Sequence, residues 1–182
     1  MSYNLFEHRH RFAVWAAARA TQRGFTSVEK LRAALESTDI KTFVQQQANV
    51  EISEDEFLEL HHKWCEAILK HLSGVDVLDP RFGRAAKLVA VYLKVMIVVG
   101  PYDESPLARV AHPPIDRILL KGLAKCTDIP PAAQEIFRTT NWTSLKPEEY
   151  DALIIQIKDC VPDIVPFWHL ERYWTVTQDP EP

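Results

Sequence analysis

Lys87 and Asp116 are the residues whose types and settings best suit them to chemistry. Lys87 lies in the apolar run GRAAKLVAVYLK (83–94), beside a stripe formed by Leu88, Val91 and Val95. A lysine at the edge of an apolar helix can act as an amine nucleophile when a carboxylate stands near it. Asp116, in HPPIDRILLKGLA (112–124), is the candidate carboxylate. Pro113 and Pro114 predict a helix start there, with Asp116 in the first turn, where backbone N–H groups stabilise negative charge. The simpler roles are a lysine that snorkels along a buried helix and an aspartate that only supports a helix start.

Both residues fall within a basic segment. Residues 81–125 hold eight Lys or Arg against three acids, although the whole chain of 182 residues carries a formal charge of −4. A basic face attracts phosphate. Gly83 and Arg84 stand at a helix start, where free N–H groups can hold an anion, with Arg81 just before them. Arg117, Lys121 and Lys125 step by four along one face, which fits either phosphate contact or a solvated surface.

Those residues need a helical frame. The length fits one domain spanning 1–182, and 47% hydrophobic with 25% charged residues is ordinary globular composition. No strand run is evident, and the pattern predicts an all-α compact bundle of about eight to ten helices. The first runs from Leu5 to Arg23, with Phe6, Phe12, Trp15 and Ala16 near helical spacing and Gly24 as its stop. Thr26 to Glu29 reads as a capping box, Asp39 as the cap of IKTFVQQQA, and Ser53 to Glu56 as a second capping box. Phe57, Leu60, Trp64, Ile68 and Leu72 form a buried stripe on the helix that follows. After a loop at 73–80 comes a central helix over 81–99, stopped by Gly100-Pro101. Further helices start at the proline pairs 113–114 and 130–131 and at Pro147, and a last one covers FWHLERYW. The acidic tail at 176–182 reads as disordered.

Several classes are set aside. There is no P-loop, no dinucleotide glycine fingerprint, no HExxH and no Gly-x-Ser-x-Gly. Cys65, Cys126 and Cys160 are odd in number and far apart, which argues against a disulfide framework. With no apolar leader and no span of membrane length, a cytoplasmic protein is expected. His61 and Cys65 are four apart on one helix, but no second cluster follows, so no metal is expected. His8 and His10 lie among Arg9 and Arg11 in a basic patch, and His112 stands four residues before Asp116.

The pattern Gly-x-x-x-Lys-x-x-Ala/Val on one helix, followed by Ile115-Asp116-Arg117 with Leu119 and Leu120 opening another, resembles the core of the helix-hairpin-helix DNA glycosylase superfamily. The spacing of Lys87 and Asp116 is more like the archaeal 8-oxoguanine glycosylases than the compact bacterial endonucleases. Where the family hairpin reads Leu-Pro-Gly-Val-Gly, this chain has Asp79-Pro80-Arg81-Phe82-Gly83, one glycine fewer. No iron–sulfur cysteine cluster follows, and no cofactor is expected. The resemblance covers about 45 residues.

It implies a base-excision glycosylase with AP lyase capacity acting on double-stranded DNA. Lys87 would attack the sugar C1′ and Asp116 would assist departure of the base. Arg81, Gly83, Arg84, Arg117, Lys121 and Lys125 would contact DNA. The flipped base would need a pocket, with His112, Phe167, Trp168 and Trp174 as candidates. The rival expectation is a non-catalytic helical interaction module with a basic surface.

Overall fold

The structure, a computed structural model, describes residues 3–75, 77 and 79–174. The tail at 176–182, read above as disordered, lies outside the described residues, as do Asp76 and Leu78 of the 73–80 loop. The fold is all-α: among the described residues there are nine α-helices and no strand. They are α1 (Leu5–Thr21), α2 (Val28–Glu36), α3 (Ile40–Gln47), α4 (Glu54–Gly74), α5 (Phe82–Leu93), α6 (Pro106–Val110), α7 (Arg117–Leu123), α8 (Pro131–Thr139) and α9 (Pro147–Cys160). A π-helical turn (Lys94–Val98) continues α5, and 3-10 turns cover Trp142–Ser144 and Phe167–Tyr173.

Helix α5 is the axis of the bundle. Phe82, Ala85, Ala86, Leu88, Val89, Ala90, Tyr92 and Leu93 are all buried, so it is apolar almost all round and must be enclosed. It packs chiefly on α1 and α4. The apolar stripe of α4 is buried at Phe57, Trp64, Ile68 and Leu72, with Leu60 half-covered and His61 and Cys65 filling the remaining positions. Both halves of the Ser53–Glu56 capping box are made.

The core face of α1 is not the aromatic one. His10, Ala13, Val14, Ala17, Ala18 and Thr21 point inward, while Phe12 and Trp15 remain outside at 52% and 47% exposure. Alanines at positions 13, 17 and 18 let α1 approach α5 closely, whereas two bulky rings there would hold it away. His10 therefore leaves the basic patch and enters the core. Its Nε2 donates to the Glu36 carboxylate at 3.1 Å, so Nδ1 accepts from the Tyr92 hydroxyl at 2.9 Å. This joins α1 to α2 and α5.

Two helix starts shift from their expected places, and a third keeps its place but loses the expected cap bond. Ser27 rather than Thr26 caps α2, by accepting from the Lys30 N–H. Asp39 precedes α3 but accepts from Lys63 Nζ and Trp64 Nε1 instead of capping it. Residues 111–116 are not helical, and α7 begins at Arg117 with Asp116 as its N-cap. Residues preceding proline are pushed into extended backbone, and the Asp116 side chain then offers the first turn an acceptor.

Candidate functional site

Folding brings Lys87 and Asp116 together. Lys87 Nζ donates to Asp116 Oδ2 at 3.0 Å, and each side chain is only about 10% exposed. Asp116 is held from its other side. Its Oδ1 accepts from the Ile118 and Leu119 N–H groups at 2.9 and 3.1 Å. The indole N–H of Trp174 reaches Oδ2 at 3.4 Å. The Lys87 ammonium also lies over the Trp142 ring, 4.8 Å from its centroid. The pair thus sits between two indoles, one from the turn before α9 and one from the end of the described chain.

Two glycines set those indoles. A Cβ on Gly83 would lie 1.9 Å from the carbonyl oxygen of Trp142, and the Gly83 N–H donates to Leu145 O at 3.2 Å. A Cβ on Gly122 would lie 2.0 Å from the carbonyl oxygen of Tyr173. Only glycine allows α5 and α7 to press so closely on the two 3-10 turns. Past Trp174, Lys94 of the π-helical turn lies 5.3 Å from its ring centroid and pairs with Glu171. Trp142 and Gly122 were not among the residues singled out from sequence. The signal that could have found them is a glycine inside an apolar helical run, which usually marks a close approach.

The other expected site residues are scattered. Arg81 is exposed and pairs with Asp79 at 2.7 Å. Arg84 turns inward to the end of α1, donating to Thr21 O, Arg23 O and Gly24 O at 3.3–3.4 Å, with its guanidinium over the Phe25 ring. Gly83 and Arg84 are therefore engaged within the fold at the expected anion-binding end of α5. Arg117, Lys121 and Lys125 are exposed, and Arg117 donates to Arg138 O at 2.6 Å.

Of the four base-pocket candidates, Trp174 hydrogen-bonds the pair. His112 turns away from Asp116 into a buried aromatic cluster. Its Nδ1 meets the Tyr150 hydroxyl at 3.3 Å, and its ring makes edge contacts with Phe57 and Phe167. Trp168 is half-buried and its Nε1 has no hydrogen-bond partner. His61 joins the same cluster, stacked on Tyr150 at 5.3 Å, with Nδ1 unpartnered. Burial drives the His61 imidazole down to about 3 and His112 well below its usual value, while it pushes the Tyr150 and Cys65 hydrogens to be held more tightly. Among the described residues no three His, Cys, Asp or Glu side chains are grouped to hold a metal ion, and no helix is long and apolar enough to cross a membrane.

No family model, curated protein or solved structure matches this chain.

Proposed function

We propose that this protein is a helix-hairpin-helix glycosylase-like enzyme that acts on damaged double-stranded DNA, with Lys87 as nucleophile. The observation behind this reading is the buried Lys87–Asp116 pair, at 3.0 Å, between the indoles of Trp142 and Trp174. An amine beside a carboxylate, with aromatic walls, suits attack on a sugar carbon and stabilisation of the positive charge that develops there.

The step runs as follows. Asp116 takes a proton from the Lys87 ammonium, freeing the Nζ lone pair. Nζ bonds to C1′ of the flipped nucleotide. The glycosidic C1′–N bond breaks, and its electron pair leaves with the base, which takes the proton held by Asp116 and so restores the carboxylate. The C1′–O4′ bond then opens, O4′ takes up a proton, and a protonated C1′=Nζ Schiff base remains. Loss of a C2′ proton expels the 3′ phosphate, which is the lyase step. Arg81, Arg117, Lys121 and Lys125 supply exposed positive charge for the phosphates.

A second reading is favoured by the completeness of the Asp116 contacts. A carboxylate that caps α7 and pairs with α5 is a good structural tie, which is all that a non-catalytic interaction module requires. Borohydride trapping separates the two. With duplex carrying an abasic site or 8-oxoguanine, the wild type should give a covalent protein–DNA adduct that Lys87→Gln abolishes. Folded wild-type protein that gives no adduct on either duplex would leave the structural tie as the function of the pair.

A further inference from the structure

The exposed face of α1 has no role in the bundle, yet its composition is specific. His8, Arg11, Phe12, Trp15 and Arg19 are exposed and recur at steps of three and four, and Arg23 follows at the end of the helix. At 1.5 Å per residue, His8 to Arg19 spans about 16 Å. Phe12 and Trp15 lie side by side, ring centroids 5.8 Å apart and planes 32° apart, each about half exposed. With Tyr3 and His8, themselves 5.7 Å apart, they border a groove of about 590 Å³.

The charge on this face is predominantly positive, although Glu7 also borders the groove. Glu7 is the sole acid of α1, and it is paired with Lys41 at 2.6 Å. Among the described residues no ion pair engages Arg11, Arg19 or Arg23, although Arg11 is close enough to Glu7 to help hold its carboxyl below the usual range. Open aromatic faces alternating with guanidinium groups match a polymer that alternates flat bases with phosphates. A second copy of the same face would bring like charges together. A lipid surface calls for a broad apolar face flanked by cations, whereas α1 turns its apolar face into the core and mixes rings with arginines outside.

We propose that this face of α1 binds single-stranded nucleic acid, with bases stacked on Phe12 and Trp15 and phosphates held by Arg11, Arg19 and Arg23. The proposal does not rest on the Lys87–Asp116 reading and stands or falls separately from it.

The test is fluorescence anisotropy of a labelled oligothymidine of roughly twenty nucleotides, titrated with the full chain between about 50 and about 200 mM salt. The wild type should bind, with a negative slope of about two in the log–log salt plot if three phosphates are neutralised. Phe12→Ala with Trp15→Ala should weaken binding at least about tenfold at every salt concentration. Arg11→Gln with Arg19→Gln should weaken it and flatten the slope by more than about one. These side chains are exposed, so circular dichroism should report folded variants.

Three results would overturn the proposal. One is a wild type that does not bind the oligonucleotide. Another is a ring variant that binds as the wild type does. The third is a ring variant that loses only its affinity for phosphatidylserine vesicles or only its self-association, while oligonucleotide binding persists.

Discussion

Lowering the pH from 7 to 5 should destabilise the fold through its buried histidines. His61 is fully enclosed by Phe57, Phe82, His112 and Tyr150. Among the described residues no carboxylate pairs with it: His62 pairs with Asp151, and His61 Nε2 meets Cys65 Sγ at 3.9 Å. Desolvation, with a smaller push from His62, holds it down to about 3. An unfolded histidine titrates near 6.5, so the unfolded chain gains a proton on acidification that the folded chain refuses. The stability is complete above about 6.5 and is lost as pH falls toward 3. At pH 5 the unfolded state lies about 1.5 units below its own value, which amounts to about 2 kcal/mol from His61 alone.

His112 is shifted in the same direction by burial and by His61, Lys158 and His62, so it adds to that loss. The window from 6.5 to 5 lies above the range in which depressed carboxyls such as Asp39 lose their contribution. Urea unfolding across this window should therefore show stability falling by at least about 2 kcal/mol, or roughly 4–8 °C in Tm. His61→Leu removes the titrating group and an unpartnered buried nitrogen. It should hold within about 1 kcal/mol of wild type at pH 7 and remove about 2 kcal/mol of the acid-induced loss. A wild type with flat stability between pH 6.5 and 5, or a variant with an unchanged pH dependence, would refute the reasoning.

The Asp116 contacts can be separated by chemical denaturation. Asp116→Asn keeps a cap acceptor but leaves the Lys87 ammonium buried without its counter-charge, which should cost about 3 kcal/mol; Asp116→Ala should cost about 1 kcal/mol more by removing the cap as well. Gly122→Ala would ordinarily gain about 1 kcal/mol inside a helix, but its Cβ would meet a backbone oxygen at 2.0 Å, which cannot yield cheaply. The variant should be less stable than wild type by about 1–2 kcal/mol and should show altered near-UV circular dichroism as Trp174 shifts.

The all-α class and the order of most helices were legible because the signals are local, although the last expected helix, FWHLERYW, forms a 3-10 turn over Phe167–Tyr173. The Ser53–Glu56 capping box, the α4 stripe and the proline helix starts at 131 and 147 act over three or four residues. What was not legible depends on which neighbour a face meets. The aromatic spacing on α1 suggested an apolar face, but the small residues won the core because α5 approaches closely there. The approach of Lys87 to Asp116 was expected, but Trp142 over the amine was not, since it depends on a carbonyl packing against Gly83 across 59 residues of chain. Arg84 looked like a phosphate ligand, but the bare carbonyls at the end of α1 claimed it.

The hydrogen bonds at Asp116 bear on whether the pair can react and remain assembled. Both oxygens are engaged: Oδ1 by two backbone N–H groups, Oδ2 by Lys87 and by Trp174. When the amine is drawn into a covalent bond, Oδ2 loses its charged donor but keeps the indole, and the α7 cap is untouched. In the proposed mechanism the carboxylate would thus stay fixed beside the carbon that Lys87 attacks, without the reorganisation that a carboxylate held only by the lysine would undergo. The indole is in turn braced by Lys94, seven residues after Lys87 on the same continuous helical run. Lys94→Met should therefore lower the yield of any borohydride adduct while leaving Lys87 and Asp116 in place. An adduct yield equal to wild type would show that the Trp174 contact does not position the carboxylate.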